Sequence, residues 1–123
     1  MAENVFEAII CIVNAGFSDS VMAAARECGA GGGTVLNARG TAREDAEKLF
    51  NISIQPEKEI VLILVKKEIR DTILHAIYKE AGLNTLGQGI AFSVPVDEVV
   101  GIGTVAKPII KEEKTVEDSQ TKE

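Results

Sequence analysis

Tryptophan is absent, and aromatic residues make up only 4% of the 123-residue chain although 46% is hydrophobic. The core must therefore be built from Ile, Val, Leu and Ala, which suits strands and short helices packed in two layers. Cysteine is scarce as well. Two residues, in a chain whose start has neither a charged n-region nor an apolar h-region, read as a reduced, cytoplasmic protein. A single histidine, His75, has no second His or Cys nearby with which to build a metal site, so no metal is expected. No apolar run approaches the roughly 18 to 20 residues of a transmembrane helix, which argues against direct membrane insertion. Positive charge is also in deficit: the formal net charge is −6. Nucleic acid and anionic membranes need clustered Lys and Arg, so neither is the expected partner, and any phosphate site must be local.

Glycine, by contrast, is plentiful. The stretch Cys28-Gly-Ala-Gly-Gly-Gly-Thr-Val-Leu-Asn-Ala-Arg-Gly-Thr41 lies between the first predicted helix and the one long polar loop in the body of the chain. Gly29 has the position of a helix C′ residue, where a positive φ costs little without a Cβ, and Gly31 to Gly33 allow close approach of a backbone. These glycines could equally do no more than turn the chain. After the strand, Arg39, Gly40 and Thr41 offer a guanidinium, bare N–H groups and a hydroxyl to an anion.

In chain order, Val5–Val13 is apolar at nearly every position, with Glu7 its only charge, and reads as a strand covered on both faces. Cys11 within it reads as a small buried hydrophobe rather than a nucleophile, having no His, Lys or Arg close in sequence. Ser18 or Asp19 is suited to cap a helix running to about Cys28, with Val21, Met22, Ala25 and Cys28 on its inner face. A second strand spans about Gly33 to Arg39. The polar segment from Gly40 to Lys48 has no buried face, and Arg43–Lys48 is expected to be disordered without ligand. Phe50, Ile52 and Ile54 alternate with polar residues, and after Pro56 a fully buried strand resumes at Glu59–Val65. Ile69, Ile73, Ala76, Ile77 and Ala81 follow the helical period over Lys67–Ala81, with Gly82 as the stop and His75 on the solvated face. Ile90–Val96 is a fourth strand that Pro95 confines to an edge or an end. Val99–Val105 could add a short fifth. The domain is assigned to residues 1–106. The charged tail, residues 107–123, is expected to be disordered.

This order specifies an α+β, ferredoxin-like βαββαβ fold, a four-stranded antiparallel sheet with two helices on one face. Because Val5–Val13 and Ile60–Val65 are apolar on both sides, the open face should be buried against other subunits.

The Gly29–Thr41 stretch, followed by Glu57-Lys-Glu-Ile-Val-Leu-Ile-Leu-Val65, the Ile69-Arg-Asp-Thr72 helix start and Gly87-Gln-Gly89, resembles the PII nitrogen-regulatory signal proteins, and more closely their divergent PII-like branch. The similarity spans about Val5 to Ile102. It implies a homotrimer with sheets facing inward, inter-subunit clefts for an adenine nucleotide (ATP, ADP or AMP), no catalytic cofactor, and a long loop that docks on a partner such as a membrane transporter. Carried over by position, it places Thr34, Arg39, Gly40 and Thr41 at or near the loop base and Leu64 under the adenine. Gly87, Gln88 and Gly89 then form the phosphate turn. Three departures stand out: Ile90 replaces the lysine after that turn, and Gly101 and Gly103 replace two arginines. At roughly 1.5 to 3 kcal/mol for each charged hydrogen bond, their loss weighs against tight triphosphate binding in the family's manner. Tyr78, the only tyrosine, lies in the second helix, so uridylylation of a loop tyrosine is excluded.

Three classes of function compete. The first is a non-enzymatic signalling protein whose effector biases a loop toward one state. The second is a module of the same fold for a different ligand, such as an amino acid, bicarbonate or a metal ion. The third is an acylphosphatase-like enzyme using Asn37 and Arg39, but these lie two residues apart on one strand and do not converge on a reacting group.

Overall fold

The computed structural model describes residues 5–41, 56–85 and 88–101. Strand β1 (Phe6–Asn14), helix α1 (Ser18–Glu27), strands β2 (Thr34–Arg39) and β3 (Glu57–Lys66), helix α2 (Lys67–Glu80) and strand β4 (Gly89–Val96) follow one another. The strands form one sheet in the order β2-β3-β1-β4, with every neighbouring pair antiparallel. This is the expected ferredoxin-like βαββαβ fold. The two continuous apolar runs become the central strands β1 and β3, and the Pro95-bearing strand lies at an edge of the sheet, where proline is tolerated.

Strand alternation divides the sheet into two faces. Ile9, Cys11 and Val13 of β1 and Val61, Ile63 and Val65 of β3 are buried under the helices. They meet Val21, Met22, Ala24 and Ala25 of α1 and Ile73 and Ile77 of α2. Each fully buried aliphatic side chain contributes roughly 1.5 to 3 kcal/mol, and these few carry the core. Burial pushes the Cys11 thiol up to about 11, as befits a packing residue. Cys28 is only half-buried, because α1 ends at Glu27 and leaves it in the cap, its Sγ 4.0 Å from the Thr72 carbonyl. Glu7 is the one buried charge among the described residues, and Arg70 of α2 reaches it at 2.9 Å. Asp71, at 2.8 Å from Nε of Arg70, and then Glu7 hold that guanidinium protonated.

The start of α1 differs from expectation. Phe17 occupies the N-cap, and no side chain of the N-cap caps the helix. Instead, Oε1 of Glu59, reaching across from β3, accepts the N–H groups of Gly16 and Ser18 at 3.1 Å each. Ser18 lies already inside the helix, so the orphan donors of the first turn find a tertiary acceptor. The other end behaves as read. The Gly29 N–H donates to the Arg26 carbonyl and the Ala30 N–H to the Ala25 carbonyl, both at 3.0 Å, with Gly29 at φ +108°. That pair of bonds is a Schellman motif, and it needs the left-handed glycine.

On the second face the side chains remain uncovered. Leu36 of β2, Leu62 and Leu64 of β3, and Ile90, Phe92 and Val94 of β4 are 37–57% exposed. Strand register places them in one contiguous apolar layer with Ile10 and Ile12 of β1. The segment from Asp97 to Gly101 contains no strand. The rest of the expected fifth strand, the loop at Arg43–Lys48, the Phe50–Ile54 strand and the tail 107–123 lie outside the described residues.

Candidate functional site

Thr34 and Leu64 share the open face of the sheet. Thr34 pairs with Leu62 across β2 and β3, so Leu64 stands two residues away on the same side. They line a depression of about 440 Å³ together with Ala8, Ile10, Gly32, Gly33 and Leu62. An apolar floor rimmed by one hydroxyl and bare glycine backbone suits a flat ring with few polar edge groups. Among the three consecutive glycines, the close approach falls on one. A Cβ on Gly33 would lie 2.9 Å from both the Leu62 carbonyl oxygen and the Met22 sulfur, while Gly31 and Gly32 have open space.

Arg39, Gly40 and Thr41 stand at the far end of β2. Arg39 stands five positions along β2 from Thr34, about 17 Å at the rise of a strand. The odd spacing also places Arg39 on the opposite face, across from Glu57. The Gly40 N–H donates to the Pro56 carbonyl at 2.8 Å, closing the base of the segment between them. Lys58 packs against this base: a Cβ on Gly40 would meet its Cε at 3.1 Å.

The third group lies at the other edge. Gly89 opens β4 with φ +151°, and a Cβ there would fall 2.4 Å from the Ile12 carbonyl oxygen, so only glycine fits. It borders a recess of about 310 Å³ with Leu74, Tyr78, Leu83, Ile90 and Ala91. Gly87 lies outside the described residues. Gln88 accepts from Asn14, whose Nδ2 is 3.0 Å from its Oε1, and Asn14 Oδ1 accepts from Lys58 Nζ at 2.7 Å. The sequence reading missed Asn14 and Lys58. Only the register that sets Asn14 opposite Lys58 at the polar end of two apolar strands exposes them.

Within one chain the expected ligand residues thus form three separate groups: Thr34 with Leu64, Arg39 to Thr41 at the loop base, and Gln88 with Gly89 at the opposite edge. Asn37 and Arg39 remain two residues apart on one strand. Among the described residues no group of three or more His, Cys, Asp or Glu side chains could hold a metal ion. No helix among them is long and apolar enough to cross a membrane.

One helix-covered face and one bare apolar face on a four-stranded antiparallel sheet define a ferredoxin-like α+β domain. Residues 6–105 match the family described as nitrogen regulatory protein P-II, and the chain belongs to that family. P-II proteins are non-catalytic signal-transduction proteins that bind small molecules. The crystal structure of Arabidopsis thaliana PII bound to citrate shares the fold, with a TM-score of 0.65 and 24% identity over 81% of this chain and 85% of that one. No curated protein matches the sequence.

Proposed function

We propose that the protein is an effector sensor that works as a homotrimer and binds an adenine nucleotide between subunits. The effector sets the state of the segment after Thr41, which acts on a partner such as a membrane transporter. The division of the ligand residues carries this reading. Thr34 and Leu64 lie toward the β2 edge and Gln88 and Gly89 toward the β4 edge, so the groups meet only when one copy's β2 edge approaches another's β4 edge. The bare apolar face between those edges supplies the driving force, since a monomer seldom exposes so continuous a patch. In such a cleft the Thr34–Leu64 depression takes the base, the turn at Gly87, Gln88 and Gly89 gives backbone N–H groups to phosphate, and Arg39, Gly40 and Thr41 receive the distal charge. P-II proteins are generally cytoplasmic, and the same location is proposed here.

Light scattering combined with calorimetric titration of ADP, ATP and AMP tests the proposal. A trimer that binds one of the three at micromolar concentration supports it. A stable monomer overturns it. The citrate in the Arabidopsis thaliana relative favours one alternative, a small carboxylate in place of a nucleotide. Titration of citrate, 2-oxoglutarate and bicarbonate in the same cell separates the two.

A further inference from the structure

We propose that Lys58 and Lys66 bracket the open face of the sheet and set the register in which copies of this chain pack against one another there, so that the assembly closes as a ring and does not continue as a filament. The inference deepens the homotrimer reading above and rests on it for the identity of the partner, a second copy of the chain.

The strand pairings sort the open face into cross-strand rows. Leu36, Ile60, Ile12 and Ile90 form one row, Thr34, Leu62, Ile10 and Phe92 the next, and Leu64, Ala8 and Val94 a third. None of these side chains is charged, and Thr34 is the single polar one. The row beyond them at one end holds Ala38, Lys58 and Asn14, and the row beyond them at the other holds Lys66, Phe6 and Val96. Both lysines belong to β3 and stand on the same face, about 26 Å apart at the rise of a strand. The apolar band is thus three rows deep, with an ammonium at each end. Lys58 is held in its row. It is half-buried, its Nζ donates to Oδ1 of Asn14 at 2.7 Å, and Nδ2 of Asn14 donates in turn to Oε1 of Gln88 at 3.0 Å. Lys66 is exposed where β3 passes into α2.

Copies that pack with their bands level bury apolar rows against apolar rows and leave both lysine rows at the rim, in water. A slip by one row, about 7 Å along a strand, lays an ammonium on the apolar band of the next copy. There it loses hydration and gains no partner, which is costly. The penalty is met in either direction, because a lysine stands at each end. The aliphatic rows themselves are too alike to forbid such a slip, so the lysines supply the discrimination. A slip repeated at every contact would add a translation to each rotation, and an interface of that kind builds an open helical fibre in place of a closed ring.

Native mass spectrometry and sedimentation velocity of the full chain test the proposal. The wild type is expected as one species of three chain masses at low and high concentration. The double variant Lys58→Met/Lys66→Met, folded by circular dichroism, is expected to spread over several masses, with species above three chains that grow with concentration. Lys58→Arg/Lys66→Arg, which keeps both charges, is expected to return to one species. A methionine variant that stays a single trimer or falls to monomer overturns the proposal and leaves the homotrimer reading intact, as does an arginine variant that spreads in the same way. Should the methionine variant not fold, Lys66→Met alone, at an exposed position, is read by the same criterion, and a single trimer there overturns the proposal. A wild type that is a stable monomer overturns both.

Discussion

Glu59 and Ser18, separated by 41 residues in sequence, meet where strand β3 passes the start of α1, and the Glu59 carboxylate accepts the Ser18 N–H at 3.1 Å. The Ser18 hydroxyl, the Ser18 N–H and then the Gly16 N–H hold the Glu59 carboxyl below the ordinary carboxylate range. The folded state therefore ionises it at a lower pH than the unfolded chain does. Its contribution is fully present above the unfolded value, near 4.3, and disappears as pH falls through the folded one. Thermal melts of wild type and Glu59→Ala between pH 3 and 7 should differ by a few degrees at neutral pH and converge at the acid end. A pH-independent gap would remove the electrostatic part of this account.

Neighbouring glycines should respond unequally to substitution. Gly33→Ala is expected to destabilise by about 1 to 3 kcal/mol, because the Leu62 carbonyl it would strike belongs to the sheet and cannot yield. Gly89→Ala should be at least as harmful, whereas Gly32→Ala, with open space around it, should leave the urea midpoint of the apo protein within error. Equal effects at Gly32 and Gly33 would contradict the close approach.

The open sheet face predicts an assembly. Phe92→Asp puts a charge into the apolar layer without touching the helix-covered core, because Phe92 faces away from it. Light scattering should give three chain masses for the wild type and one for the variant, which remains folded by circular dichroism. A variant that stays trimeric would place the interface elsewhere.

Arg39 is the cation we expect to meet a phosphorylated ligand. Arg39→Ala should weaken ADP binding by roughly tenfold or more, following the 1.5 to 3 kcal/mol of a charged hydrogen bond. Affinity equal to wild type would transfer the role to the turn at Gly87–Gly89 or to Lys58, which is closer to the loop base than the sequence suggests.

The fold was legible because its signals are local. Val5–Val13 announces a central strand, Ile73 and Ile77 keep the helical period, and Gly29 and Gly82 stop their helices where expected. What escaped depends on register. Asn14 and Lys58 are 44 residues apart and unremarkable in sequence, and they meet only through the pairing of β1 with β3. The cap of α1 was assigned to Ser18 or Asp19 because a local acceptor is the usual solution, and a side chain from another element won. The alternation of β2 separates Thr34 from Arg39 by both distance and face, which a list of residues does not convey.

The hydrogen bond between Gly40 and Pro56 gives the chain a gate of fixed width. The polypeptide leaves the sheet at Gly40 and re-enters it at Pro56, and one hydrogen bond ties the two points together. Doubling the length of such an excursion adds only about 0.6 kcal/mol of closure entropy. A change of length between Gly40 and Pro56 is therefore cheap for the sheet, whose two ends stay tied to each other whatever chain lies between them.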